Sequence, residues 1–121
     1  EGKLTGNAIR VPTPDVSMAV LNLQFDRAVT REEINEHLEQ VSLTGALRTQ
    51  IDYVESSEIV STDFVGSNRA GIVDGLATIA TDDSAVVYVW YDNEYGYSCQ
   101  VVRIVEQLAG SHPAHLPALQ A

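Results

Sequence analysis

The sequence predicts an α+β fold: a mixed, largely antiparallel sheet with helices on one side and a C-terminal helix. Two observations carry this. The β-rich runs follow one another through turn-forming residues without regular strand-helix-strand alternation, and only two stretches, from about Thr30 to Gly45 and from about Asn93 to Gly110, take on the helical period. At 121 residues and 45% hydrophobic content the chain can bury one ordinary core, so one domain or a large part of one is expected.

The elements follow in order. "LTGNAIRV" reads as a strand that Pro12 and Pro14 end, because proline has no N–H to give to a ladder. "VSMAVLNLQF" reads as a longer strand whose apolar phase switches midway, from Val16, Met18 and Val20 to Leu21, Leu23 and Phe25. A bulge near Val20 or burial of both faces accounts for the switch. Thr30 with Glu33 forms a capping box for a helix carrying Ile34, Leu38 and Val41 on one stripe and ending near Gly45. "QIDYVE" is a short strand. "SSEIVSTDFVGSNRAG" is a loop in which Ile59 and Val60 could pair briefly. "GIVDGLATIA" and "SAVVYVWYD" flank the turn "TDDS" as a hairpin. The last helix places Tyr97, Val101, Ile104, Val105 and Leu108 on one stripe, with Gly110 as its stop and a loose tail beyond.

A formal charge of −10, from 7 basic and 17 acidic residues, argues against nucleic acid or an anionic membrane surface as the main partner. No apolar run approaches the roughly 18 residues of a membrane span, and no signal peptide is visible, so a cytoplasmic location is expected. The chain starts at Glu1, which suggests a piece of something longer. Its single cysteine, Cys99, sits within the last helix with no histidine near it in sequence and reads as a small, partly buried side chain, not a nucleophile. His37, His112 and His115 read as solvated, and Asp82 and Asp83 as turn formers, so no metal site is expected.

Two places invite a functional reading. Arg10, late in an apolar strand, serves either a structural ion pair or bidentate capture of phosphate or carboxylate. In an acidic chain an anionic ligand depends on such a locally placed cation. Asp92 and Asn93 stand together where a strand gives way to a helix. Either can cap the helix; if Asp92 does, Asn93 keeps a donor and an acceptor that suit another carboxamide, beside the flat rings of Tyr95 and Tyr97.

"KLTGNAIRVPTPDVS" at residues 3 to 17 and "WYDNEYGYS" at residues 90 to 98 resemble signature stretches of the phosphorylating glyceraldehyde-3-phosphate dehydrogenases, and "EIVSTDFVGS" and "AGIVDG" between them fit the same family in order and spacing. The resemblance, which runs from residue 2 to about 110, implies the second half of the catalytic domain (residues 1–92) and a helix (93–110) that packs on the nucleotide-binding domain, followed by the tail (111–121). It implies that Arg10 binds substrate phosphate, that Asn93 hydrogen-bonds the nicotinamide carboxamide of NAD or NADP, and that Tyr97 lies against the nicotinamide. The implied partners are an aldose phosphate, inorganic phosphate, the nucleotide-binding domain of the same enzyme and further copies in a homotetramer. The strand departs from the family's commonest pattern at Val20 and Asn22, and the tail is longer than the usual ending. The chain lacks a Gly-rich dinucleotide loop and the family's "SCTTN" nucleophile segment, catalytic histidine and "STGAA" phosphate loop, so by itself it is expected to be inert. The alternative is a separate non-enzymatic binding or assembly module derived from that domain, or a phosphate-binding regulatory domain using Arg10.

Overall fold

The computed structural model describes residues 4–8, by their backbone, and residues 11–111. The elements are β1 (Leu4–Ala8), β2 (Ser17–Gln24), α1 (Arg31–Thr44), β3 (Ile51–Val54), a short 3-10 helix (Ser61–Phe64), β4 (Gly71–Asp74), β5 (Ile79–Thr81), β6 (Ser84–Tyr91) and α2 (Tyr95–Leu108). The strands make one sheet in the order β1-β2-β6-β4-β3, with β5 also beside β6. Every pairing is antiparallel except β3 with β4, so the sheet is mixed and largely antiparallel, as the sequence predicts.

β6 is the centre. Along one edge it pairs with the whole of β2, from Ser17↔Tyr91 to Gln24↔Ser84. Along the other it meets β4 at Ile72↔Trp90 and Val73↔Val89, and β5 from Ile79↔Val86 to Thr81↔Ser84. The expected hairpin is thus present around Asp82 and Asp83, but its first arm is two strands and not one. Asp74 causes the break. Its Oδ1 accepts from the Ala77 N–H at 3.2 Å and its backbone oxygen accepts from Thr78 Oγ1 at 3.3 Å, which closes a turn in place of a continuous ladder.

The phase switch in β2 has the second of its two explanations. Register with β1 and β6 runs unbroken through Val20, so there is no bulge there. Seven of the eight residues of β2 are half-buried, whichever face they point to. Ile59 and Val60 join no strand; the loop instead tightens into the 3-10 helix, where Asp63 Oδ2 accepts from the Val60 N–H at 2.8 Å.

The core gathers around β4 and β6, with Ile72, Val73, Ala85 and Val87 buried alongside Val16 and Val29. On the face carrying Trp90, the Phe64 ring packs at 5.5 Å and Asp74 Oδ2 accepts from the indole N–H at 3.4 Å. α1 is tied to the end of β4 through the Gly75 carbonyl, which accepts from Asn35 Nδ2 at 2.8 Å and from the Arg31 guanidinium at 3.3 Å. Burial and the Glu55 carboxylate, to which its hydroxyl donates, push the Tyr53 phenol well above its ordinary value, so it stays a neutral donor.

The capping box forms as read. Thr30 Oγ1 accepts from the Glu33 N–H at 3.1 Å, and Glu33 Oε2 accepts from the Thr30 N–H at 3.0 Å. The Thr30 amide first, and Arg27 at 3.2 Å second, hold the Glu33 carboxyl below the usual carboxylate range. Thr30→Ala is expected to lower stability by about 1 kcal/mol, read as a shift in the urea midpoint. An unchanged midpoint would mean that tertiary contacts alone hold this end of α1.

Val16 is a strained position. It is a buried, β-branched residue at φ 68, in the left-handed region, with its N–H bonded to Asp15 Oδ1 at 2.7 Å. Such a conformation costs on the order of 1–3 kcal/mol and persists only where packing overrides it.

Candidate functional site

The junction between β6 and α2 is built on Asp92, which is 2% exposed. One carboxylate oxygen, Oδ1, accepts from three successive backbone N–H groups: Glu94 at 2.9 Å, Tyr95 at 2.6 Å and Gly96 at 3.4 Å. The other, Oδ2, accepts from the Gly66 N–H at 2.8 Å. Burial alone would raise this carboxyl, but the donors on Gly66, Tyr95, Glu94 and Gly96 together outweigh it and hold its pKa below the ordinary aspartate value. The ionised group also meets the positive end of α2.

Two further contacts hold the start of α2 against the loop from Gly66 to Arg69. Gly96 lets the backbones approach: a Cβ there would stand 2.8 Å from the Arg69 carbonyl and 3.1 Å from that of Ser67. One turn on, Gln100 Nε2 donates to the Asn68 carbonyl at 3.1 Å and to the Gly96 carbonyl at 2.9 Å. The loop is anchored in turn to β3 by Arg69, whose Nε lies 3.6 Å from Asp52 Oδ2.

With Asp92 as the cap, Asn93 has an exposed side chain that makes no hydrogen bond to any described residue. Tyr95 and Tyr97 are 54% and 67% exposed at the first turn of α2. Of the residues singled out from the sequence, Asn93 and Tyr97 therefore stand at one junction, and Arg10 lies outside the described residues, as does the tail beyond Ser111 with His112 and His115. An exposed carboxamide and exposed phenol rings on the same strand-to-helix junction are groups that can recognise a planar ligand bearing its own amide.

The bond from Asp92 to Gly66 escaped the sequence reading. Its only sign there is a glycine in "FVGS", far along the chain, whose φ of 81 favours glycine. Cys99 is half-buried and borders an open groove of about 370 Å³ with Asn68, Tyr95, Ser98, Val102 and Arg103. Among the described residues no three metal-ligating side chains cluster, and no helix is long and apolar enough to cross a membrane.

Comparison with known proteins follows these features closely. Residues 1–93 match the family described as "Glyceraldehyde 3-phosphate dehydrogenase, C-terminal domain". The chain is 63% identical over 117 residues to a "Glyceraldehyde-3-phosphate dehydrogenase-like protein" of Pseudomonas aeruginosa, covering 97% of this chain and 25% of that protein. It is 43% identical over 111 residues to a cytosolic glyceraldehyde-3-phosphate dehydrogenase of Ginkgo biloba, covering 91% and 32% respectively, and 44% identical over 108 residues to a glyceraldehyde-3-phosphate dehydrogenase of Schistosoma mansoni, covering 88% and 31%. The chain thus spans about a quarter to a third of the length of these relatives. A capped strand-to-helix junction, a mixed sheet and this extent of identity together show that the chain belongs to the glyceraldehyde-3-phosphate dehydrogenase family, as its C-terminal domain.

Proposed function

We propose that this chain is the C-terminal region of an NAD(P)-dependent, phosphorylating aldose-phosphate dehydrogenase, in which residues 1–92 complete the catalytic domain and residues 93–110 pack on the nucleotide-binding domain. The observation that carries this reading is the Asn93 side chain, exposed and without a hydrogen bond among the described residues, while both its neighbours are held. Its amide can accept from and donate to the nicotinamide carboxamide, and Tyr97 offers a ring face beside it. A nicotinamide dinucleotide held by Asn93 and Tyr97 would supply the hydride acceptor for oxidation of the aldehyde. This chain contributes orientation, not the nucleophile or the base, and by itself it is inert. Arg10 pairs with the substrate phosphate as a two-pronged cation.

The outer stripe of α2 supports the same arrangement. Val101, Ile104, Val105 and Leu108 are 43%, 58%, 59% and 83% exposed, an apolar surface suited to burial against another domain. The working enzyme is a cytoplasmic homo-oligomer, a tetramer by family analogy, that takes inorganic phosphate with its aldose phosphate. A free-standing binding or assembly module would leave that stripe in water, which disfavours it.

The test is steady-state kinetics of the full-length protein. Asn93→Ala is expected to raise KM for the dinucleotide about tenfold, for the loss of one amide pair, and to leave KM for the aldose phosphate unchanged. An unaltered dinucleotide KM would sink the assignment of Asn93.

A further inference from the structure

Asn93 is held in an unusual way. Its side chain has no hydrogen bond among the described residues, yet the residues on both sides of it are fixed through one carboxylate: Asp92 by its own side chain, and Glu94 by the N–H that it gives to Asp92 Oδ1 at 2.9 Å. A helix cap needs only one acceptor. Here the second oxygen reaches back 26 residues to Gly66 at 2.8 Å, on a loop that also receives Gln100 at Asn68 and is anchored to β3 through Arg69. The carboxylate therefore does more than start α2. It registers the backbone around position 93 against the sheet.

We infer that Asp92 is a positioning residue for cofactor recognition, acting through Asn93: the bridge between the Gly66 N–H and the first amides of α2 sets where the Asn93 carboxamide is presented. This rests on the reading of Asn93 given above. A hydrogen-bonding group that must meet a carboxamide loses most of its value when displaced by about 1 Å, so slack in this bridge weakens the selection of the nicotinamide ring.

The experiment compares NAD(P) with its acetylpyridine analogue, in which a methyl ketone replaces the carboxamide, using the full-length protein. Discrimination is the ratio of the two KM values. Asn93→Ala should bring that ratio close to one, which tests the underlying reading. Asp92→Asn retains one acceptor for the α2 amides but turns an N–H donor towards either them or Gly66, so one side of the bridge is lost. It is expected to cut the discrimination about fivefold and to leave KM for the aldose phosphate unchanged. A merely structural Asp92 would lower stability and leave the ratio alone. Loss of discrimination in Asn93→Ala with full discrimination in Asp92→Asn overturns the inference; full discrimination in Asn93→Ala removes the reading beneath it. Hydrogen exchange on the unsubstituted protein decides the matter should Asp92→Asn fail to fold. Protection of the Gly66 amide to the same degree as those of Tyr95 and Gly96 supports the bridge, and exchange at the rate of an open loop overturns it.

Discussion

Asp92→Ala is expected to lower the stability of the protein by about 3 kcal/mol, because it strips the acceptor from four backbone N–H groups at once. The loss should show as a lower urea midpoint at neutral pH. Its pH dependence has a definite sign. The folded-state pKa of Asp92 is depressed, and an unfolded aspartate titrates near about 3.9. The stability that the carboxylate adds is therefore fully present above about pH 4 and is lost as the pH falls through the lower, folded value. The gap between the unsubstituted protein and Asp92→Ala should be constant from pH 7 to about pH 5 and close in stronger acid. Parallel midpoints down to pH 3 would mean that the carboxylate is not held in its ionised form by these amides.

Gly96→Ala is the second substitution with a large expected effect. The added carbon meets two backbone carbonyls, at 2.8 Å and 3.1 Å, which cannot rotate away as a side chain would. The loop or the helix must shift by several tenths of an ångström, at a cost of about 2 kcal/mol. Because the shift falls one turn from Asn93, KM for the dinucleotide is expected to rise about tenfold alongside the loss of stability. Gly66→Ala is the control. An added carbon there meets nothing within 4 Å, and the only cost is the strain of φ 81, about 1 kcal/mol. Because Gly66 gives the N–H that anchors Asp92, the dinucleotide KM is expected to rise here too, but less than in Gly96→Ala. Equal kinetic effects from the two alanines would show that loop strain, not the approach of the helix, controls the site.

Much of this architecture is legible in the residues because the signals are local. The capping box at Thr30 and Glu33, the turn at Asp82 and Asp83, and the helical stripe from Tyr97 to Leu108 all depend on neighbours within a few positions, and all appear in the folded chain. Long-range features are not legible in the same way. "GIVDGLATIA" reads as one β-rich run, and only the folded chain reveals Asp74 turning it aside to serve Ala77, Thr78 and the Trp90 indole. Asn35 carries no such local signal, and it is buried to meet the Gly75 carbonyl forty positions away. The candidate site divides along the same line. That one of Asp92 and Asn93 is spare follows from capping chemistry; that Asp92 also fastens a distant loop depends on where Gly66 comes to rest.

The position of β6 also governs how the molecule comes into being. β1 and β2 can pair with each other early, and β3 and β4 can meet across a single short excursion, but neither pair touches the other except through β6, the last of the described strands in sequence. Ser84 must find Gln24 across 60 residues, a closure whose entropic cost grows only as the logarithm of the loop but which must be met before any pairing rewards it. Until that closure the two half-sheets have edges without their central partner, the kind of edge that invites pairing with another chain. The junction of Asp92 and Asn93 directly follows β6, so the proposed recognition can arise only after the most distant pairing in the sheet has closed.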